Sequence, residues 1–328
     1  MENQVKAIRM EQHGGPEVLK VVVVNVPAPQ ENEVTIRQKA IGLNFIDIYY
    51  RTGLYASPLP HGLGFEAAGV VEAVGSKVRH LKVGDRVAYG QSPIGAYAEA
   101  RNVPADRVVK IPRGVGFDEA AALMLKGLTV QYLFRQTYRL QGNETILFHA
   151  AAGGVGLIAC QWAKALGVKL IGTASSPEKA RLAKENGAWE VIDYSRENVV
   201  ERVLALTGGN KLPVVYDGVG KDTWTTSLDL VQPRGLLVSF GNASGPVEGV
   251  NLGVLSAKGS LYVTRPKLGD HVATLEKLQA AADEMFSLVV KKKIRVAIGQ
   301  RYALEDAGKA HEDLAGRKTT GATILTLD

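Results

Sequence analysis

One cysteine, Cys160, stands in a chain of 328 residues. An internal disulfide is therefore excluded, and a metal is denied the clustered thiolates of structural zinc sites. No apolar run is long enough to span a membrane as a helix. The opening stretch MENQVKAIRMEQHGG lacks the basic-then-apolar order of a secretory signal. Low-complexity tracts and short internal repeats are missing as well. These absences point to an ordinary globular chain, expected in the cytoplasm. Hydrophobic residues make up 46% and charged residues 22%, which excludes a disordered chain; the length allows two domains with sizeable cores.

The formal charge is +6. A polyanionic partner is one reading of that excess, and plain solubility is the simpler one. The one dense basic run, KKKIR from Lys291 to Arg295, reads as a solvated helix end, because cations favour helix C-termini. No aromatic residues interleave with basic ones, so a nucleic acid is the weaker partner reading.

The first third reads as short strands and turns: VTIRQKAIGLN alternates, FEAAGVVEAVG is β-rich, and LKVGDRVAYG ends in a turn. A helix is expected at NFIDIYYRTG, with Asn44 able to cap it and Gly53 able to end it. FDEAAALMLKGLTVQYLFRQ is rich in helix formers. From Glu144 strand and helix patterns alternate. ETILFH, KLIGTA, WEVIDY, LPVVYDGVG, LLVSFGN and GSLYVTR read as strands. Between them, Val155 to Leu166, Pro177 to Asn186, ENVVERVLALTGG and KDTWTTSLDLVQPRG read as helices. This alternation implies an α/β fold with a parallel sheet wound on both faces. The C-terminal ATILTLD is a strand expected to return to the first domain.

Between ETILFH and its helix lies Ala151-Ala152-Gly153-Gly154-Val155-Gly156, a G-x-G-x-x-G pattern with Ala151 in place of the first glycine. Gly153 lets a phosphate approach the backbone, and Gly156 lets the helix pack closely on the sheet. Gly154 and Val155 begin the helix, whose unpaired N–H groups and dipole favour a pyrophosphate. An NAD site places an acidic residue at the next strand tip. Here that tip reads Gly172-Thr173-Ala174-Ser175-Ser176, followed by Lys179. Ser175 can bond a phosphate oxygen, Ser176 caps the next helix, and Lys179 can neutralise charge, so NADPH is favoured. A plain surface lysine is the alternative at position 179. His149, just before the turn, is expected to pack behind it rather than act as a base.

The run Asn143-Glu144-x-x-Leu147, the turn Ala151 to Gly156, and then Gln161 and Lys164 resemble the signature of the quinone oxidoreductase and ζ-crystallin group of the medium-chain dehydrogenase/reductase superfamily. HGGPEVL at His13 to Leu19, NFIDIYYRTGLY at Asn44 to Tyr55, VSFGNASG and LYVTRP extend the likeness over the chain. The resemblance implies a GroES-like, β-rich catalytic domain over residues 1–124 and 292–328. It implies a Rossmann NADPH-binding domain over 125–291, and a homodimer paired through the edge strand GSLYVTR.

Zinc-dependent members of that superfamily carry Gly-His-Glu where this chain has Gly64-Phe65-Glu66. His13, His61, His80, His149, His271 and His311 form no ligand-spaced pair, so a metal-free hydride transfer is expected. A quinone needs little polarisation; alignment with the nicotinamide in a dry cleft suffices. By resemblance Asn44, Asp47, Tyr49 and Tyr55 line the nicotinamide pocket, with Phe45 and Ile46 beside the cofactor. Asn44 or a tyrosine can bond the acceptor carbonyl; equally, Asn44 can serve only as a cap and the tyrosines only as packing. The same pattern assigns Lys126, Thr129 and Tyr132 to the cofactor cleft. Tyr194 either flanks the adenine or is an edge aromatic. Val219, Phe240, Gly241, Asn242, Ala243, Pro266, Lys267 and Leu268 follow strand ends, where ligands bind in such sheets. Arg317 either pairs the 2′-phosphate or is a surface arginine. The expected activity is NADPH-dependent quinone reduction. The alternatives are an enoyl or alkenal double-bond reductase, and a cofactor-bound RNA-binding protein of the ζ-crystallin type.

Overall fold

Strands of two to eleven residues and helices of four to sixteen make up the computed structural model, which describes residues 4–91 and 93–327. The first stretch holds β1 (Gln4–Met10), β2 (Lys20–Asn25), β3 (Glu33–Leu43), α1 (Phe45–Thr52), β4 (His61–Gly62), β5 (Glu66–Val74), β6 (Arg86–Gly90), β7 (Ala100–Pro104), β8 (Val109–Lys110) and α2 (Phe117–Tyr132). The middle holds β9 (Thr145–Phe148), α3 (Gly154–Ala165), β10 (Lys169–Ala174), α4 (Pro177–Glu185), β11 (Glu190–Asp193), α5 (Val199–Leu206), β12 (Leu212–Asp217), α6 (Trp224–Leu230) and β13 (Val231–Ser239). The last part holds α7 (Gly253–Ala257), β14 (Tyr262–Thr264), α8 (Leu268–His271), α9 (Leu275–Val290), β15 (Ile298–Ala303), α10 (Ala307–Ala315) and β16 (Ala322–Thr326).

The chain divides into two compact units. One comprises Met1–Leu128, Val272–Lys292 and Val296–Asp328; the other comprises Thr129–His271 and Lys293–Arg295. The sequence reading ended the second domain at residue 291. By contact, α9 sorts with the first unit, because it packs against β8.

In the first unit β3 pairs antiparallel with both β5 and β16, so the C-terminal strand returns beside the N-terminal sheet as expected. That sheet runs β15-β16-β3-β5-β6-β8, with β7 also on β3; a second sheet runs β2-β1-β4. Ile8, Val34, Ile36, Ile41, Val87 and Leu325 are fully buried between these layers. Helix α1 follows directly from β3. Asn44 stands at its N-cap in extended conformation, and its N–H donates to the Asp47 carboxylate at 2.8 Å. Gly53 ends it at φ 81°, a left-handed conformation that costs any other residue about 1–2 kcal/mol.

The second unit is a six-stranded sheet in the order β11-β10-β9-β12-β13-β14, every pair parallel. Chain order reverses at β9, which makes the C-terminal ends of β9 and β12 the place where such sheets bind ligands. Helix α3 buries Leu157, Ile158, Ala159, Cys160, Trp162 and Ala163, while Val155 and Leu166 at its ends are half-buried. Gly167 follows it at φ 73°, where a terminating glycine belongs.

Three local expectations are corrected. In KDTWTTSLDLVQPRG the helix stops at Leu230. From Val231 the chain is strand, because Pro233 lacks an N–H and Arg234 takes φ 60°, which bulges the β12–β13 register between Leu212 and Val214. In LKVGDRVAYG the turn lies at Val83-Gly84 and the stretch ends in β6. In GSLYVTR only Tyr262–Thr264 is strand, and Leu261 before it is buried. The run KKKIR does follow the end of α9, with Lys291 as its cap. The last residue of ATILTLD lies outside the described residues.

Candidate active site

Within the first unit, polar side chains converge on Glu66, the first residue of β5. Its carboxylate is fully buried. Oε2 accepts from Asn44 Nδ2 at 2.8 Å and from Lys126 Nζ at 2.9 Å, while Oε1 accepts the Leu125 N–H at 2.7 Å. A carboxylate only accepts, so the Asn44 amide must turn its nitrogen toward Glu66. Charge-assisted bonds of this kind are stronger than neutral ones and hold the Asn44 amide and the Lys126 ammonium at one carboxylate. Close packing leaves no slack: a Cβ on Gly42 would lie 2.1 Å from Glu66 Oε2 and 2.2 Å from the Ala121 carbonyl oxygen.

Asp47 faces inward too. Its Oδ2 takes the Asn44 N–H and the Tyr97 hydroxyl at 2.9 Å, and Tyr97 in turn meets His311 Nε2 at 3.0 Å. Burial pushes Asp47 up to about 7, partly offset by those two hydrogen bonds and by Lys126. Burial also pushes His311 down to about 3, so it is neutral at physiological pH. Of the sequence-predicted catalytic set, Asp47 thus sits at the root of α1, with its carboxylate on the helix cap.

The two tyrosines sit in an aromatic row. Tyr49 meets Tyr55 edge-on at 5.2 Å and Phe45 at 6.4 Å; Tyr50 meets Tyr55 at 5.7 Å and Phe65 at 5.1 Å. Such a row presents ring edges and faces suited to a flat acceptor. Phe65 contributes to it from the position where zinc-dependent chains carry histidine. Ile46 is half-buried on the same helix.

In the second unit, the predicted phosphate turn leads from β9 into α3. No side-chain hydrogen bond caps α3 at Gly153, the residue before it, so no capping side chain serves the amides of the first helical turn. A Cβ on Gly156 would lie 2.4 Å from the Ala150 carbonyl oxygen, so only glycine fits there. Ala151 fills the first glycine position because Gly172 makes room: a Cβ on Gly172 would come within 2.5 Å of the Ala151 methyl. These features fit a dinucleotide pyrophosphate. At the tip of β10, Ser175 and Ser176 are half-buried, and Ser176 Oγ accepts the Lys179 N–H at 3.3 Å as the cap of α4. Glu178 is fully exposed in the first turn of α4, and its carboxyl is held below the usual range by the helix-start N–H groups. Tyr194 follows β11, exposed, its N–H on the Ala174 carbonyl at 3.1 Å.

Several of the remaining predicted contacts fall at strand ends of this unit. Val219 donates its N–H to Asp217 at 2.8 Å and its carbonyl accepts from Ser244. Phe240 lies 5.5 Å from Phe148, and Gly241 passes so near Gly218 that a Cβ would sit 2.2 Å from that carbonyl. Asn242 and Ala243 continue that loop, which Arg265 ties to β14 through the Gly241 carbonyl at 2.9 Å. Pro266 and Lys267 follow, and Leu268 is buried at the start of α8. Thr129 is half-buried at the end of α2, and Tyr132 is buried and stacked on His271 at 4.6 Å. Lys126 and Arg317 belong to the first unit; Arg317 is exposed after α10 at φ 57°.

Family models match two stretches of the chain. Residues 30–113 match an alcohol dehydrogenase GroES-like domain, and residues 154–285 match a zinc-binding dehydrogenase. A quinone oxidoreductase of Pseudomonas aeruginosa is 65% identical over 98% of this chain and 99% of its own. This chain belongs to the quinone oxidoreductase family. A crystal structure of Escherichia coli quinone oxidoreductase complexed with NADPH is 55% identical, covers 98% of this chain and 100% of its own, and superposes with a TM-score of 0.97. A 2-haloacrylate reductase of a Burkholderia species is 38% identical over 98% of each chain. The GroES-like and Rossmann assignments of this quinone oxidoreductase chain therefore stand. Among the described residues no group of three or more His, Cys, Asp or Glu is arranged to hold a metal ion.

Sequence reasoning missed Glu66 as a hub, although Gly64-Phe65-Glu66 was read for its second residue. It also missed Tyr97 and His311, 214 residues apart in sequence, for which no local signal exists.

Proposed function

We propose that this chain reduces quinones with NADPH, without a metal. The observation that carries the reading is the buried Asn44–Glu66–Lys126 cluster beside an aromatic row that includes Phe65, together with an uncapped glycine turn in the second unit. NADPH supplies a hydride from the nicotinamide ring. The chain's own residues bind, orient and keep water away. Gly153, Gly154, Val155 and Gly156 hold the pyrophosphate, Ser175 and Lys179 the 2′-phosphate, and Tyr194 flanks the adenine. Phe45, Tyr49 and Tyr55 wall the acceptor. Asn44, fixed by Glu66, keeps its remaining amide hydrogen for an acceptor carbonyl, where developing negative charge makes the bond stronger than in the ground state.

A second reading, reduction of an activated carbon–carbon double bond, is favoured by the likeness to 2-haloacrylate reductase. NADPH oxidation followed against 1,2- and 1,4-quinones and against α,β-unsaturated carbonyls separates them. A preference for the unsaturated carbonyls would replace the quinone reading.

The homodimer belongs to this proposal. Among the described residues β14 is an outer strand paired to β13 alone, and Tyr262 and Val263 are exposed on it. Exposed edges of this kind are managed by pairing or cover. Sedimentation of the chain and of Tyr262→Pro tests it; a monomeric mass for the unaltered chain at micromolar concentration would refute it. A single buried thiol accords with a reducing, cytoplasmic setting.

A further inference from the structure

Behind the phosphate turn, the buried imidazole of His149 joins two hydrogen-bonded arms. On one side Thr173 Oγ1 lies 3.1 Å from Nδ1 and accepts the Ala150 N–H at 3.2 Å. On the other, Ser227 Oγ lies 3.0 Å from Nε2 and 2.7 Å from Asp217 Oδ2. All four side chains are buried. Asp217 Oδ1 in turn takes the N–H groups of Val219 and Gly220 at 2.8 and 3.0 Å.

The direction of this chain follows from donor counting. Asp217 accepts only, so the single Ser227 hydrogen goes to it, and at His149 Ser227 is the acceptor. Nε2 therefore carries the proton. Thr173 has one hydrogen, already accepts from Ala150, and donates to the bare Nδ1. Burial holds the ring below its ordinary titration range, in keeping with a neutral imidazole.

We propose that His149, neutral and protonated on Nε2, is a positioning residue that locks the phosphate turn to the loop after β12 and so sets affinity for the dinucleotide. The proposal rests on the NADPH-dependent reading above. Ala150 shows what must be held. It is a non-glycine residue at φ 56°, and its carbonyl accepts the Gly153 N–H at 3.0 Å and lies against Gly156. A left-handed alanine persists only where its neighbours over-determine it. Thr173 satisfies its amide, and His149 aims the threonine hydroxyl away so that it can. Through Ser227 and Asp217 the same thread fixes Val219, whose carbonyl holds Ser244 and with it the loop after β13. Three loops on the ligand-binding side of the sheet thus share one directed chain.

The test compares the unaltered chain with His149→Phe, His149→Gln and Thr173→Val. Measurements are NADPH binding by cofactor fluorescence, steady-state kinetics with 1,4-benzoquinone, and thermal denaturation. Loss of a buried hydrogen bond at the turn should weaken NADPH about tenfold in His149→Phe, in Kd and KM together. The kcat at saturating NADPH and the quinone KM should stay within about twofold. Thr173→Val keeps the shape and should move in the same direction, which settles the matter if His149→Phe fails to fold. His149→Gln restores a donor near the Nε2 position and should recover part of the affinity. A lower melting temperature with unchanged NADPH Kd in His149→Phe and Thr173→Val would reduce His149 to a packing residue and overturn the proposal. An unaltered chain that does not bind NADPH would overturn the reductase reading and the proposal with it; variants that bind as well as a functioning parent overturn the proposal alone.

Discussion

Replacing Glu66 by glutamine probes the first unit most sharply, because shape is kept and only charge and acceptor capacity change. Glu66 oxygens take three donors, from Asn44, Leu125 and Lys126. Glutamine has one oxygen and one amide group. With its oxygen toward Asn44 and Lys126, its NH2 meets the Leu125 N–H; turned over, it meets two donors. Either way a buried donor is left without an acceptor, at about 1–3 kcal/mol. The Lys126 side chain, only 6% exposed, also loses its counter-charge, and removing one member of a buried pair costs about 3–5 kcal/mol in all. We expect Glu66→Gln to lower stability by about 3 kcal/mol. Release of the Asn44 amide should lower kcat about 10- to 100-fold. Lys126→Met should also destabilise, since it strands the carboxylate. The double variant should lose about 1–2 kcal/mol less than the two singles summed, because neither an unpaired ammonium nor an unpaired carboxylate is then left buried. Urea unfolding and steady-state NADPH oxidation read both quantities. Additive effects, or a Glu66→Gln chain with parental kcat and stability within about 0.5 kcal/mol, would refute the hub.

Lys179→Ala should raise the NADPH KM about tenfold and spare NADH, a difference of about 1.4 kcal/mol; equal effects on both cofactors would remove Lys179 from the 2′-phosphate. Exhaustive chelation should leave activity intact, because Phe65 stands at the ligand position; zinc lost in step with turnover would reverse that. Asp47 and His311 should give opposed pH effects. Asp47, raised from 3.8 to about 7, keeps a proton in the folded chain that the unfolded chain releases, so its contribution is present at low pH and lost as pH rises through 7. His311, lowered from 6.5 to about 3, stays neutral when folded, so stability is lost as pH falls below 6.5. Between pH 3.8 and 6.5 the two slopes cancel. Asp47→Asn should therefore unmask a loss of stability on acidification below pH 6.5, read as urea midpoints along a pH series. Identical slopes in variant and parent would show that the pair does not titrate this way.

The α/β alternation, the helix ends at Asn44 and Gly53, and the glycine turn were legible in the sequence, because each rests on contacts between residues a few positions apart. Periodicity dictates which side of a helix is apolar, a cap needs only its own first turn, and Gly156 is required by a carbonyl six residues upstream. Ala151 in the first glycine position looked like a departure until Gly172, 21 residues on, showed where the space came from. The helix read into VQPRG failed because Pro233 stops a helix there and the neighbouring strand β12 takes those residues into a bulged β13. The division of α9 was invisible for the same reason: which unit a helix joins depends on the surface that buries it. Glu66, Tyr97, His311 and the His149 chain belong wholly to tertiary structure. The side-chain partners of Glu66, Tyr97, His311 and His149 lie 22 to 214 residues away, and burial raises the energetic stake of each bond between them. Local sequence decided where the backbone could turn; only the folded chain decided which polar groups leave water together, and with which partners.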